Sequence, residues 1–205
     1  MAVNVDWHFF EKNARASGYS MICGVDEAGR GPLFGPVYAA AVILPPESEI
    51  TGLNDSKQLT EKKRDALFDI ITEQALSYGI GSASAQEIDK INILNATYLA
   101  MLRAVASMAV QPDYALIDGN RMPPELTMPG ETVVKGDAKS ASIAAASILA
   151  KVSRDRLLYE MDLLYPQYGL KRHKGYPTAA HYDAIKAYGV LKEHRKTFLR
   201  NLHEK

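Results

Sequence analysis

The apolar positions of this chain fall into two rhythms, short continuous runs and longer stretches at helical spacing. Met21 to Val25 is an apolar run that predicts a strand, and Val37 to Leu44 is a second, close enough to pair with it as a hairpin. Pro45 and Pro46 end that unit, because neither can donate to a ladder. Upstream, Val5 to Ala16 carries Trp7, Phe10 and Ala14 on one face, which predicts a short amphipathic helix with Trp7 as a packing anchor. Downstream, Ser48 to Thr60 reads as a loop, with Gly52, Asn54, Asp55 and Ser56 as turn residues. From Thr60 a helical stripe of Leu67, Ile70, Ile71 and Leu76 is opposed by Glu61, Lys62, Arg64, Asp65 and Glu73. Ser77 to Ala83 is a short strand of small residues. Ser84 and Glu87 then form a capping box that opens a long helix, one face of which is Ile91, Leu94, Tyr98, Met101, Leu102, Val105 and Met108.

Pro112 stops this helix. Tyr114 to Ile117 is a brief apolar strand that delivers Asp118 to a Gly-Asn turn, and Thr132 to Val134 is another that leads to Asp137. Between them lies a proline-rich loop, 121–131. Ser140 to Tyr165 contains neither Gly nor Pro and predicts a helix. The small residues of its first half suit either a close approach to a sheet or helix propensity alone. Pro166 and Gly169 break the chain, and two short helical patterns follow, Thr178 to Tyr188 and Glu193 to Leu202. The order of elements points to an α/β fold: a mixed five-stranded sheet flanked by helices, whose first strands form a hairpin and whose later strands run parallel. Residues 1–165 make the body with its short N-terminal helix, and 166–205 make a C-terminal helical segment.

Charge changes that picture in one respect. The 205 residues carry a formal net charge of zero, which argues against a nucleic-acid partner. The distribution argues the other way, because residues 166–205 hold nine Lys/Arg against three Asp/Glu and four of the five histidines. A basic tail on an acidic body fits a phosphate-rich partner and, equally, a solvated basic face. A single cysteine, Cys23, excludes an internal disulfide, and no Cys/His spacing suggests a zinc ribbon. No apolar run approaches the ~18 residues of a membrane span, so a cytoplasmic protein without a membrane partner is expected.

Candidate chemistry gathers where strands end. Asp26, Glu27, Asp118 and Asp137 lie at the ends or turns of three predicted strands. Each acid alone reads as well as a turn former, but the four together read as a site for hard divalent cations, Mg²⁺ or Mn²⁺. Two such ions can hold a phosphodiester between them. A regular strand sends Asp26 and Glu27 to opposite faces, so either the strand kinks at Ala28-Gly29 or the two acids divide the task. Gly29-Arg30-Gly31 can form a backbone nest for a phosphate or sugar, or a plain tight turn. Tyr176, between Gly175 and Pro177, is held on a rigid loop and can stack on a sugar or base, although an isolated tyrosine is more often core. His173 and His181 read as helix caps rather than phosphate ligands.

With these residues in view, the chain resembles ribonuclease HII, the bacterial type 2 ribonuclease H. The resemblance rests on Gly24 to Pro32, Leu53 to Lys57, Leu116 to Asn120, Val134 to Asp137, Ser142 to Val152 with Arg154-Asp155, and His173 to Thr178. It implies an RNase H-like sheet and endonucleolytic cleavage of RNA in RNA–DNA hybrids, including single ribonucleotides embedded in duplex DNA, with 5′-phosphate and 3′-hydroxyl products. It implies Asp26, Glu27, Asp118 and Asp137 as catalytic metal ligands. It also implies Gly29, Arg30 and Gly31 at the ribose 2′-OH, Tyr176 at the RNA-to-DNA junction and Lys57 at substrate. Gln58 departs from the family, where a second lysine is common. About twenty residues precede the first motif, which favours type 2 over type 3, and a monomer is expected. Two rivals stay open, a non-catalytic hybrid-binding module and a DNA-strand nuclease on the same fold.

Overall fold

A computed structural model describes residues 6–46, 48–53 and 56–199, without the side chain of Lys57. Asn54, Asp55, the first residue of the helix expected from Val5, and the last three residues of the pattern ending at Leu202 lie outside these. The described chain runs α1 (Phe9–Ala16), β1 (Ile22–Ala28), β2 (Val37–Ile43), α2 (Glu61–Gln74), β3 (Ser77–Ala83), α3 (Ala85–Ala106), β4 (Tyr114–Asp118), β5 (Gly130–Val133), α4 (Ala141–Leu164), α5 (Leu170–His173) and α6 (Ala179–Tyr188). Trp7 precedes α1 rather than lying within it, and packs against the core from a turn.

The five strands form one mixed sheet in the order β3-β2-β1-β4-β5. The first two pair antiparallel as a hairpin, β3 pairs antiparallel with β2, and β1, β4 and β5 pair parallel. β2 therefore runs against the other four strands; α2 links β2 to its antiparallel neighbour β3, α3 carries the chain across to β4, and a loop without a helix leads to β5.

Alternation sorts the strand residues onto two faces. Cys23 and Val25 of β1 pack with Ala115, Ile117 and the α3 residues Ala100, Ala104 and Val105. Ile22 packs on the opposite face with Leu116, Val133 and Ile143 of α4. Glycine and small residues let both helices lie close. A Cβ on Gly24 would stand 2.1 Å from the Ser142 backbone of α4, and one on Gly81 would stand 2.3 Å from the Ala100 carbonyl of α3. The small residues 144–146 of α4 are fully buried against the sheet, so the close approach is real. Met101 and Met108 are core filler, and so is Cys23.

Several expected details differ. α3 is two helices joined at Asn92, which takes φ 65° and caps the second segment through the Asn95 amide. In α2 only Leu67 and Ile71 are buried; Ile70 is exposed, and Leu76 lies beyond the helix and is also exposed. The helix expected from Glu193 is absent among the described residues. His194 instead makes an extended bridge to Phe34, followed by a 3-10 turn at Lys196–Phe198. Asp89 of α3 holds that turn, accepting from the Lys196 and Thr197 amides, each at 2.9 Å.

Candidate active site

The parallel pairing of β1 with β4 sets the acids side by side. Val25 is in register with Ile117, so the next residues, Asp26 and Asp118, leave adjacent strands at the same level. β1 does not stop at Val25. It remains paired with β2 through Glu27↔Ala39 and Ala28↔Tyr38, so it does not kink before Ala28. This settles the difficulty of the adjacent acids: the strand is regular and they face opposite sides. Asp26 points to the α4 side, where Ser147 bonds its carboxylate. Glu27 points to the α3 side, into a cavity of about 330 Å³ that it shares with Asp118, Arg30, Tyr98, Asn120 and Arg121.

Asp26 is buried, and its pKa is raised well above the usual carboxylate range. Desolvation is the main cause, followed by the charges of Glu27 and Asp118. The Glu27 amide, donating to Asp26 Oδ1 at 2.6 Å, and the Ser147 hydroxyl oppose this only in part. Because Ser147 gives its proton to Asp26, Ser56 must donate to Ser147, at 2.7 Å. Asp118 Oδ1 accepts from the Gly136 amide at 2.7 Å, which tethers the turn carrying the buried Asp137. Glu27 meets Arg30 at 3.3 Å.

As they stand, no three acidic, histidine or cysteine side chains among the described residues enclose a cation site. Asp26, Glu27 and Asp118 are near enough to repel, but Glu27 turns to Arg30 and Asp118 to Gly136. The donor set nevertheless fits a hard divalent cation, since every candidate ligand is a carboxylate oxygen and a cation would relieve the repulsion on Asp26.

The glycine loop is held from elsewhere. Gly29 takes φ +96°, and a Cβ there would stand 2.1 Å from Arg154 Nε, so both backbone and space require glycine. Arg154 projects from α4, fully buried, and donates to the carbonyls of Pro36, Phe34 and Lys174. Arg195, also fully buried, donates to the carbonyls of Gly29 at 2.6 Å, Arg30 at 2.9 Å and Gly35 at 2.9 Å. Burial lowers the pKa of both arginines, and the charge of Arg154 lowers that of Arg195 further. Backbone bonds complete the clasp: the Leu33 amide donates to Gly175 O, the Arg195 amide to Leu33 O and the Gly35 amide to Glu193 O. Gly175, at φ +78°, packs against Phe34, and the space beside Gly31 is bounded by the Tyr176 ring, 3.5 Å from where a Cβ would lie. Tyr176 is half-exposed rather than core.

The structure thus brings Asp26, Glu27 and Asp118 together, tethers the turn that carries Asp137 to Asp118 through the Gly136 amide, and joins Gly31 to Tyr176 across 145 positions of sequence. Lys57 lies in a 3-10 turn, Ser56–Gln58, and its side chain is outside the described residues. Sequence reasoning missed Ser147, Ser56, Arg154 and Arg195 as supports. Arg154 had a readable signal, since it stands four residues from both Ala150 and Leu158 in an otherwise apolar helical stripe. Arg195 had none, because its partners are backbone atoms of a distant loop.

The family model for ribonuclease HII matches residues 23–204. The chain belongs to the ribonuclease HII family. It is 58% identical over 178 residues to ribonuclease HII of Marinomonas sp., covering 87% of this chain and 89% of that protein. It is 62% identical over 177 residues to that of Chromobacterium violaceum, covering 86% and 89%. Among solved structures, ribonuclease H2 of Pyrococcus horikoshii superposes with a TM-score of 0.75 at 27% identity, covering 90% of this chain and 98% of that one. Bst-RNase HIII, solved in complex with Mn²⁺, shares the fold, with a TM-score of 0.70 at 21% identity, covering 93% and 70%. The mixed sheet with flanking helices is therefore the RNase H-like fold, and ribonuclease HII is a ribonuclease H that hydrolyses RNA in RNA–DNA hybrids. Among the described residues no helix is long and apolar enough to cross a membrane.

Proposed function

We propose that this ribonuclease HII cuts the RNA strand of hybrids and also cuts 5′ of single ribonucleotides embedded in duplex DNA, leaving 5′-phosphate and 3′-hydroxyl ends. Asp26, Glu27, Asp118 and Asp137 hold the catalytic divalent ions, two at a time, with Mn²⁺ or Mg²⁺ as the species. When bound, these ions supply the water activation and charge neutralisation that phosphodiester hydrolysis needs. The chain's own part is to set the acids at one level on β1 and β4 and to offer Asp26 a hydroxyl donor in Ser147, which favours its charged form. Gly29-Arg30-Gly31 offers a close backbone approach to the 2′-OH, the group that separates RNA from DNA. Tyr176 stacks on the sugar at the junction, and Lys57 contacts substrate phosphate. Residues 1–165 form the catalytic body, and 166–205 form the segment that carries Tyr176 and clasps the loop. All these groups come from one chain, in keeping with a cytoplasmic monomer.

The observation that supports this specificity most directly is the meeting of Gly31 with the Tyr176 ring. A loop that inspects one sugar and a ring that covers its neighbour can recognise a lone ribonucleotide. The test offers three duplexes, with one ribonucleotide, a continuous RNA strand or DNA alone, with and without Mg²⁺ or Mn²⁺. Cleavage of the first two only, and only with metal, is expected. Cleavage of the all-DNA duplex would favour a DNA-strand nuclease instead.

A further inference from the structure

The Tyr176 loop ends on a directed chain of hydrogen bonds through two histidine rings. The Leu191 amide donates to Nδ1 of His194 at 2.9 Å. A backbone N–H can only donate, so His194 Nδ1 carries the lone pair and the neutral ring keeps its proton on Nε2. That proton faces Nε2 of His181 at 3.2 Å. His181 Nε2 therefore accepts, and the proton of its ring lies on Nδ1, 3.0 Å from the Tyr176 carbonyl. A carbonyl can only accept, so both ends of the relay agree on one assignment. His173 stacks on His181, with ring centroids 4.4 Å apart. Its Nδ1 accepts from the Gly175 amide at 3.2 Å and its Nε2 donates to the Tyr168 carbonyl at 2.8 Å.

We propose that His194 and His181 are positioning residues, which set where Tyr176 stands against Gly31 and do so only while both rings are neutral and in opposite tautomers. The inference rests on the reading of Tyr176 as the group that covers the junction. An added proton on His181 Nε2 would point N–H at N–H, and one on His194 Nδ1 would oppose the Leu191 amide. The groups packed around the pair resist such a proton. His173 of α5 stacks on His181, and Tyr168 from the turn before α5 and Phe34 from the glycine loop flank His194. Arg195, next in the chain, and Arg154 of α4 are already cations on the same loop. The adjoining carboxylate in sequence is Glu193, and its Oε2 is buried without a hydrogen-bond partner. Burial first, then His173, lowers the pKa of His181, and burial with His181 pushes His194 down to about 4.

The test has two arms. Nitrogen-15 NMR of the full chain at neutral pH should show His194 as the Nε2–H form and His181 as the Nδ1–H form, and at about pH 5.5, where an ordinary histidine is mostly charged, His194 should keep its neutral form. A cationic His194 at the lower pH, or one tautomer shared by both rings at neutral pH, would overturn the proposal, and this arm needs no variant to fold. The second arm compares kcat/KM on a duplex with one ribonucleotide against kcat/KM on a continuous hybrid. His194→Asn keeps an acceptor for Leu191 but offers nothing to His181, and should lower that ratio about fivefold to tenfold, the worth of one hydrogen bond. His181→Asn keeps a donor near the Tyr176 carbonyl and should retain more of the ratio. Tyr176→Ala separates the two ideas. An unchanged ratio there would remove the reading of Tyr176 itself, whereas a loss there with none in His194→Asn would remove the relay alone.

Discussion

Asp26 and Glu27 sit in a strand, paired with Ala40 and Ala39 of β2 just past the last β4 pair at Val25, whereas Gly29 to Gly31, just beyond, sit in none. The acids take their position from sheet register, and β4 brings Asp118 to the same level with no added device. The glycine loop takes its position from carbonyls gripped by Arg154 and Arg195, and from backbone bonds to residues near Gly175 and Glu193. One half of the site is therefore placed by the sheet, and the other by two buried cations. The difference fits the proposed division of labour between metal ligation and sugar inspection. Metal-ligating acids need fixed separations, while a surface that inspects a sugar needs backbone exposed, which a paired strand cannot offer.

The comparison can be broken at either half. Asp118→Asn should lower kcat by about 10³-fold or more, as the proposed role of Asp118 as a metal ligand requires. Its unfolding midpoint should hold or rise, because one repelling charge beside Asp26 is gone; activity assays and thermal melts on one preparation check both. Arg195→Met should do the reverse in emphasis. It leaves the Gly29, Arg30 and Gly35 carbonyls without their donor, and urea titration should show about 3–5 kcal/mol lost.

Acid should loosen the clasp by a smaller amount. An unfolded His194 takes up a proton near 6.5, but the folded ring resists it until about 4. The unfolded state then binds more protons across that window, so its contribution to stability is complete above about 6.5 and is lost as pH falls towards about 4. His194→Asn should flatten the pH dependence of the urea midpoint over this range. Gly31→Ala should have the smallest effect on stability, within about 0.5 kcal/mol, because its Cβ meets only the Tyr176 ring at ordinary contact distance. Cleavage at a lone ribonucleotide should still fall, since the methyl group occupies the space a sugar would approach. A normal melt with that selective loss would sharpen the assignment of the loop.

How much of this was legible in the sequence follows the same division. β3 was readable end to end, and the capping box at Ser84 and Glu87 opens α3 as expected, because local chemistry decides both. The candidate acids were readable as strand-end acids, although β1 runs on to Ala28 because β2 remains beside it to pair. Asn92 could not be read as a break, since the residues on either side keep helical spacing. The tail differs from its reading in one element and in how its charge is used. Not all of its charge is free for phosphate, since Arg195 is consumed by backbone carbonyls, and Lys174 packs on the Tyr159 ring at 3.6 Å and bonds its hydroxyl. Glu193 to Arg195 read as helix, but the edge of the glycine loop offers those residues a bridge and an amide, and that long-range pairing wins over local propensity.

The most direct test of the central claim, that acids and loop are held separately and act separately, is Arg195→Lys. Lysine keeps the charge but loses the fork that reaches three carbonyls. Cleavage at a single embedded ribonucleotide and of a continuous hybrid should be measured together across a Mn²⁺ titration. Independent halves require the single-ribonucleotide rate to fall at least about tenfold more than the hybrid rate, by the worth of one or more hydrogen bonds, with the Mn²⁺ midpoint unmoved. An equal fall on both substrates with a shifted midpoint would show that the clasp holds the acids too, and would contradict the account.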